Sequence, residues 1–505
     1  MSHDAKKDTL RHRKAPIEMS PDEFRTAGHR LVDDIARLLG SIRERPVNVD
    51  ESPGELCALL PQGSLPDEGS EPSKLLEEVT SLLFQHSLFN GHPRFYGYIT
   101  SAAAPIGALA DLLAASVNPN VGGWQLSPLA SEIEKQSIRW IADMIGFPTG
   151  GGGLFVSGGN MANFVCFLAA RRAKAPWDIC REGMTKADGR MLVYATNETH
   201  TWIQKAMSLF GHGHEAIRTI PIDKNLSADI ESLHKEIEDD RRRGDHPFLI
   251  IGSAGTVSTG AVDPLADMAA VAREYDLWLH VDGAYGALAA CLPDASADLT
   301  GLSEADSVAV DPHKWLYTPL EAGCVLVRDP AALQNAFSYK PPYYHFATED
   351  ESRTNFYEYG LQNSRGFRAL KVWLGLRQVG RQGYVKMIGD DIRLAKEMYR
   401  LVDADADFEA FTQSLSITTF RYVPQDLTPG TERVERYLSE LNNAVLTRLK
   451  ASGESFLSNA IVDGKFLLRG CIVNFRTSLE DIEALPDIIR RHAQALDAEM
   501  RPKDL

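Results

Sequence analysis

Between about Gly91 and Ala395 the chain alternates short apolar runs with helical stretches, and this alternation constrains the fold more than any other feature. The runs are Met191 to Thr196, Ile217 to Pro221, Phe248 to Ser253, Leu277 to Asp282, Ser307 to Val310 and Cys324 to Arg328, with helical segments such as Ala162 to Arg172 and Pro264 to Tyr275 between them. Strands that are apolar throughout are buried on both faces, and a helix between successive strands carries the chain back to start the next one in parallel. The pattern predicts an α/β fold with a mostly parallel sheet covered on both sides.

The flanks differ in texture. Ser20-Pro21-Asp22-Glu23 reads as a capping box with proline at the first helical position, and Phe24, Ala27, Leu31, Ile35, Leu38 and Ile42 follow at helical spacing. A turn-rich segment, Pro46 to Pro72, separates that helix from a second one over Ser73 to Gln85. Residues 1–90 are therefore expected to form an N-terminal helical arm and 91–395 a large domain. Residues 396–505 are expected to form a small C-terminal α+β domain: Ser414 to Val423 is strand-like, Arg433 to Ala451 helical, Phe456 to Phe475 a hairpin turning near Asp463-Gly464, and Asp481 to Leu496 a closing helix. A chain of 505 residues exceeds one compact core, in keeping with such a division.

The charge balance narrows the partners. Lys plus Arg (53) against Asp plus Glu (69) leaves −16, which repels nucleic-acid phosphates and anionic membranes. The basic runs Lys6-Lys7, Arg11 to Lys14 and Arg241 to Arg243 are short and read as solvated tails and helix ends. Six cysteines without a C-x-x-C pair suit a reducing compartment and argue against a thiolate zinc site. The polar start, Met1 to Lys14, and the lack of any run near the ~20 apolar residues that span a bilayer predict a soluble, cytoplasmic protein with no nucleic-acid or membrane partner.

Polar groups stand at the ends of the apolar runs. Lys314, in Asp311-Pro312-His313-Lys314-Trp315, lies 32 positions after Asp282, in His280-Val281-Asp282-Gly283-Ala284-Tyr285. Strand ends of this kind open onto the crevice where α/β proteins hold ligands. Lysine there could simply reach solvent and aspartate before glycine could cap a turn. Together, an amine able to form an imine and a carboxylate able to keep a ring nitrogen protonated are the equipment for pyridoxal phosphate chemistry. The run Gly150 to Gly153, followed by Ser157-Gly158-Gly159-Asn160-Met161-Ala162-Asn163, leads into an apolar helix whose first backbone N–H groups make a phosphate seat. It matches neither of the common nucleotide-binding glycine patterns. His200 follows the run Met191 to Thr196 and could stack on a cofactor ring and exchange protons with substrate. His212-Gly213-His214 lacks a third ligand, so no metal is expected.

In this chain order the sequence resembles the group II pyridoxal-phosphate-dependent amino acid decarboxylases, the family of aromatic-L-amino-acid and glutamate decarboxylases. The resemblance runs from about His92 to Lys371 and is carried by His92-Pro93-Arg94-Phe95, Ser127-Pro128, Gly158 to Asn160, His200, His280 to Tyr285, Asp311 to Trp315 and Arg365 to Lys371. It implies a PLP-dependent-transferase fold (aspartate-aminotransferase-like, fold type I), a homodimer with interfacial active sites, and an amino acid substrate. It further implies that Lys314 forms the imine with the cofactor, Asp282 pairs with the ring nitrogen, Ala284 packs behind the ring and His200 stacks in front. Gly159, Asn160, His313 and Thr256 complete the implied cofactor contacts, and Tyr98 and Ser101 the implied substrate site. The expected reaction is decarboxylation of an L-amino acid, aromatic ahead of acidic, to the amine and carbon dioxide.

Two departures from the family's pattern stand out. A mobile loop supplies a tyrosine as proton donor in the family, and a gapless reading puts Phe356 there, an exchange that goes with oxidation of the intermediate to an aldehyde. Tyr357, one position on, is the phenol carried forward as the candidate donor; Tyr359 and Pro341-Pro342-Tyr343-Tyr344-His345 offer others. Asn120 and Gly122 stand where the aromatic branch has bulky apolar groups, while Tyr96-Gly97-Tyr98 does not reproduce the glutamate branch. An aldehyde synthase, an aminotransferase and a catalytically silent scaffold are the competing readings.

Overall fold

The structure, a computed structural model, describes Lys7 and residues 10–13, 15–186, 188–339 and 353–505. The chain divides into two compact units, Met1–Phe89 with Ala451–Glu454, and Asn90–Lys450 with Ser455–Leu505.

In the first unit, helix α1 (Pro21–Gly40) begins at the expected capping box: the Ser20 hydroxyl accepts from the Glu23 N–H at 3.2 Å and the Glu23 carboxylate accepts from the Ser20 N–H at 2.8 Å. It packs against α2 (Pro72–His86), with Arg30 and Glu77 paired across them at 2.8 Å. The short return of chain at Ala451–Glu454 is tied in by the Val47 N–H, which donates to the Gly453 carbonyl.

In the second unit, α3 (Pro105–Val117) and α4 (Pro128–Met144) precede a seven-stranded sheet. Its elements are β1 (Gly152–Val156), α5 (Gly159–Lys174), β2 (Met191–Thr196), α6 (Trp202–Leu209), β3 (Ile217–Ile220), α7 (Ile230–Arg242), β4 (His246–Ser253), α8 (Leu265–Glu274), β5 (Trp278–Asp282), β6 (Ser307–Val310) and β7 (Gly323–Val327). The strand order is β1-β7-β6-β5-β4-β2-β3, parallel from β6 through β3, with β7 antiparallel to both its neighbours. Val193, Ile250, Val281 and Val308 are wholly buried, as strands covered on both faces require. Each such side chain contributes roughly 1.5–3 kcal/mol by leaving water.

A 35-residue helix, α9 (Ala369–Asp403), is interrupted at Gly380 by a left-handed φ of 68°. Beyond it, a four-stranded antiparallel sheet, ordered β10-β11-β9-β8, carries its own apolar cluster against α10 (Glu432–Ser452) and α11 (Leu479–Met500). Its strands are β8 (Phe408–Ser414), β9 (Ile417–Tyr422), β10 (Ser458–Val462) and β11 (Lys465–Cys471), and β10 and β11 make the expected hairpin about Asp463-Gly464.

Two segments differ from the sequence reading. Gly152–Val156 is a strand, β1, which the sequence reading did not include among the strands; a Cβ on Gly153 would lie 2.1 Å from the Val325 carbonyl oxygen, so glycine is what lets β1 approach β7. Ser414 to Val423 is not one strand. The chain turns at Leu415-Ser416, and its partner strand lies upstream at Phe408–Ser414, where the mixed Phe-Glu-Ala-Phe-Thr-Gln-Ser run hides the alternation.

Candidate active site

Strands β4, β5 and β6 run parallel, so their C-terminal ends share one edge of the sheet. Ser253 and Asp282 end two of them, Lys314 follows the third by four residues, and all three line one cavity of 390 Å³. The N-terminus of α5 and the segments around His200 and Thr256 complete its wall. The volume lies in the range of small-molecule sites.

Asp282 is held from three directions. Its Oδ2 accepts from the Trp202 indole N–H at 2.8 Å and from the Asn163 amide at 3.1 Å, and its Oδ1 accepts from the Ala284 N–H at 3.2 Å. Three donors fix the orientation of the carboxylate. Behind it His280 is wholly buried, its Nδ1 2.9 Å from the Ser307 hydroxyl and its Nε2 2.7 Å from the Asn163 Oδ1. Burial pushes its imidazole down to about 4, against the opposing pull of Asp282, so the ring is neutral near pH 7.

Lys314 sits in the short turn Pro312–Trp315, and its ammonium lies 3.2 Å from Asp311 Oδ2. The turn is fixed from behind. Trp315 stacks on Tyr285 at 4.7 Å, and its indole, with the Tyr317 hydroxyl, donates to the buried Asp391 carboxylate at 2.9 and 2.7 Å. His313 Nδ1 bonds the Ala322 carbonyl at 2.7 Å, leaving Nε2 toward Asp311 at 3.7 Å, and burial lowers its pKa. His200 opens on the cavity. Desolvation lowers its pKa more than the nearby Asp282 raises it, which favours a neutral ring able to take a proton.

The donor set suits pyridoxal phosphate. Gly158, the residue before helix α5, has φ 136°, a value other residues rarely adopt, and no side chain caps the helix, so its first N–H groups face an anion seat beside Asn160 and His313. A Cβ on Gly159 would lie 2.7 Å from Asp311 Oδ2, which reserves that space. Asp311 Oδ1 is buried without a hydrogen-bond partner among the described residues, an acceptor at the wall of the same cavity. An amine, a carboxylate held by three hydrogen bonds and an uncapped helix end are thus grouped in one cavity.

Lys314, Asp282, Ala284, His200, Gly159, Asn160, His313 and Thr256, singled out in the sequence, all line this cavity. Tyr98, Ser101 and Tyr357 do not. Tyr98 is 58% exposed, its ring tilted over Phe456 at 5.9 Å, while its neighbour Ile99 is the lining residue. The Ser101 hydroxyl donates to the His313 carbonyl at 2.8 Å and braces the wall from outside. Tyr357 lies in a short helical turn, Phe356–Glu358, whose backbone is tied to the Gly122 carbonyl.

Phe356, aligned in the sequence with the family's loop tyrosine, has its ring 1% exposed and 4.8 Å beneath the Arg365 guanidinium. Arg365 pairs with the buried Glu134 at 2.5 Å and donates to the Phe155 and Val121 carbonyls, which anchors this segment in the interior. Pro341 to His345 lie outside the described residues. Asn163, Trp202, Glu198, Asp311 and Leu320 are lining or supporting residues to which sequence reasoning gave no role. For Asn163 a signal existed, since an amide inside the expected helix Ala162 to Arg172, among apolar neighbours, must find a buried partner.

Comparison with known proteins agrees with this geometry. The family model described as the pyridoxal-dependent decarboxylase conserved domain matches residues 53–423. An aromatic-L-amino-acid decarboxylase of Bacillus atrophaeus is 34% identical, over 92% of this chain and 94% of that protein. A phenylacetaldehyde synthase of Petunia hybrida is 32% identical, over 94% and 95%. Among solved structures, Oryza sativa TDC with PLP and tryptamine superposes with a TM-score of 0.88 at 28% identity, covering 96% of this chain and 99% of that one. The fold is fold type I of pyridoxal-phosphate enzymes. The chain belongs to the pyridoxal-dependent decarboxylase family and is a pyridoxal-phosphate-dependent carboxy-lyase acting on amino acids.

Proposed function

We propose that the protein decarboxylates an aromatic L-amino acid to its amine and carbon dioxide. The observation that carries the substrate class is the charge of the cavity. Its lining holds Glu198, Asp282 and Asp311 against the single formal cation Lys314, with Ile99, Met161, Phe164, Val257 and Leu320 as apolar surface. Glu198 Oε2 is buried there without a hydrogen-bond partner among the described residues. An acidic substrate side chain would meet repulsion and no arginine among the described lining residues, whereas an aromatic ring gains from burial. The relatives named as aromatic decarboxylases point the same way.

Bound in the cavity, pyridoxal phosphate supplies a covalent attachment for the substrate amine and a cationic ring that accepts the electron pair of the bond broken at the α-carbon. Lys314 would tether it and later take up and return protons at Nζ. Asp282 would hold the ring-nitrogen proton, the α5 N-terminus with Asn160 and His313 would hold the phosphate, and Ala284 and His200 would bracket the ring. His200, neutral by desolvation, is suited to accept a hydrogen bond at the reacting end. Choice of reaction then rests on how the walls orient the substrate carboxylate.

Amine is favoured over aldehyde in line with the relatives named aromatic-L-amino-acid decarboxylase and tyrosine decarboxylase. Leu109, Leu112, Leu113 and Val117 of α3, with Leu126 and Leu129, form an exposed apolar face suited to a second copy of this chain, in line with a homodimer and interfacial sites. The six free thiols fit a reducing compartment such as the cytoplasm.

Incubating the cofactor-loaded protein with each amino acid and identifying products by mass tests the reading. Amine formed from tryptophan, tyrosine or phenylalanine without oxygen uptake is expected. Peroxide and aldehyde, or turnover of glutamate alone, would overturn it.

A further inference from the structure

The rear wall of the cavity contains a buried hydrogen-bonded chain that crosses three elements. The Trp278 indole N–H donates to the Ser307 Oγ at 2.8 Å; that oxygen lies 2.9 Å from His280 Nδ1; His280 Nε2 lies 2.7 Å from Asn163 Oδ1; and the Asn163 amide N lies 3.1 Å from Asp282 Oδ2. Ser307, His280 and Asn163 are each at most 1% exposed. With no solvent to substitute a partner, the direction of each proton matters.

Two proton arrangements are conceivable for a neutral His280. In one, the Ser307 hydroxyl donates to Nδ1, Nε2 donates to the Asn163 oxygen, and the amide N–H₂ faces Asp282. In the other all three steps are reversed, and the amide oxygen faces a carboxylate at 3.1 Å with no proton between them. The second sets two acceptors against each other and is rejected. A cationic His280 would need the ring to hold its proton far above the value of about 4 that burial imposes. The Asp282 charge therefore selects the first arrangement, and that arrangement in turn supplies Asp282 with its second donor.

We infer that Asn163 is a positioning residue for Asp282, its amide locked donor-forward by the Trp278–Ser307–His280 chain, so that Oδ2 is filled from behind and Oδ1, which accepts only from the Ala284 N–H among the described residues, would be left for the ring nitrogen of the cofactor. The inference rests on the proposed pairing of Asp282 with that nitrogen. It gives Asn163 no contact with substrate; it acts through the carboxylate alone.

The titratable groups that sense Asp282 are Cys166 on α5, His200 ahead of α6 and His280 on its own strand, with Lys314 on the cavity wall beyond β6. Cys166, pushed up to about 12, and His280 keep one charge state between pH 6 and 9. A change in the pH response of the bound cofactor therefore reports on Asp282, His200 or Lys314, and a His200→Gln background separates the second.

The test uses full-length, cofactor-loaded protein and reads the visible absorbance of the Lys314-bound cofactor against pH, together with kcat and KM per bound cofactor. Asn163→Ala is expected to lower kcat about 10- to 100-fold, the range for a lost hydrogen bond to a charged group, with little change in KM, and to shift the absorbance transition. Asn163→Asp is expected to do more, because two carboxylates at this separation share a proton. A second pair guards against misfolding of the first. His280→Gln can still donate to the Asn163 oxygen and should retain most of the wild-type spectrum, whereas His280→Leu should match Asn163→Ala. Wild-type absorbance and kcat in Asn163→Ala, or identical behaviour of the two His280 variants, would overturn the inference alone. A wild-type protein that takes up no pyridoxal phosphate would overturn the cofactor reading with it.

Discussion

Asp282 and Lys314 stand in the same cavity under opposite regimes. The carboxylate receives three hydrogen bonds from Trp202, Asn163 and Ala284 and is backed by a fully buried histidine. The ammonium has a 21% exposed side chain and, among the described residues, one close ionic partner, Asp311. A group that must keep a single charge through a reaction gains from fixed donors, because reorganisation is then small. A group that must form and release a covalent bond needs a partner that lets go. Under the roles proposed for Asp282 and Lys314, the rigid wall serves charge and the loose wall bonding.

Four substitutions test this contrast. Lys314→Ala, on the loose wall, should abolish turnover and the lysine-bound absorbance together; a persisting covalent adduct would move the tether elsewhere. Asp282→Asn should keep the fold and cost on the order of 10²–10³ in kcat, the scale for losing one preorganised electrostatic contact. Near-normal rates would show that the rigid wall serves packing rather than charge. Trp202→Phe removes a single donor from Asp282 while keeping most of the aromatic bulk, and should lower kcat roughly 10-fold. A loss equal to that of Asp282→Asn would mean that the indole, not the carboxylate, is the decisive group.

The smallest effect lies behind the loose wall. Desolvation raises the Asp391 carboxyl to about 7 despite the donors from Trp315 and Tyr317, and an unfolded chain returns it to 3.8. The folded state then binds the extra proton, so this contribution to stability is fully present below about pH 3.8 and is lost as the pH rises through about 7. Urea midpoints measured across that window should fall with pH in the wild type and fall less in Asp391→Asn. Parallel slopes would place the raised carboxyl elsewhere.

Strand ends were the most legible part of the site. Apolar runs locate β2, β4, β5 and β6, and the polar residue closing each run, or shortly following it, is necessarily near the others once the strands are parallel. What links them laterally was not legible. The indole of Trp202 meets an oxygen 80 positions away and the Asn163 amide one 119 positions away, distances along the chain at which no periodicity carries information. Phe356 shows the same limit from the other side. Counting back from Arg365 without a gap aligns it with a loop tyrosine, but nothing local tells that its ring lies under that guanidinium, which is held by Glu134, 231 positions away. Strand β1 escaped because its glycines answer to the carbonyls of β7 rather than to any local preference.

The bare beginning of α5, whose opening amides no side chain caps, ties the endurance of the folded chain to nutrition. An anion seated there binds only the folded form, so heat tolerance should climb with the logarithm of coenzyme concentration once that exceeds the dissociation constant. A cell short of vitamin B6 would then lose molecules of this protein to unfolding as well as to idleness.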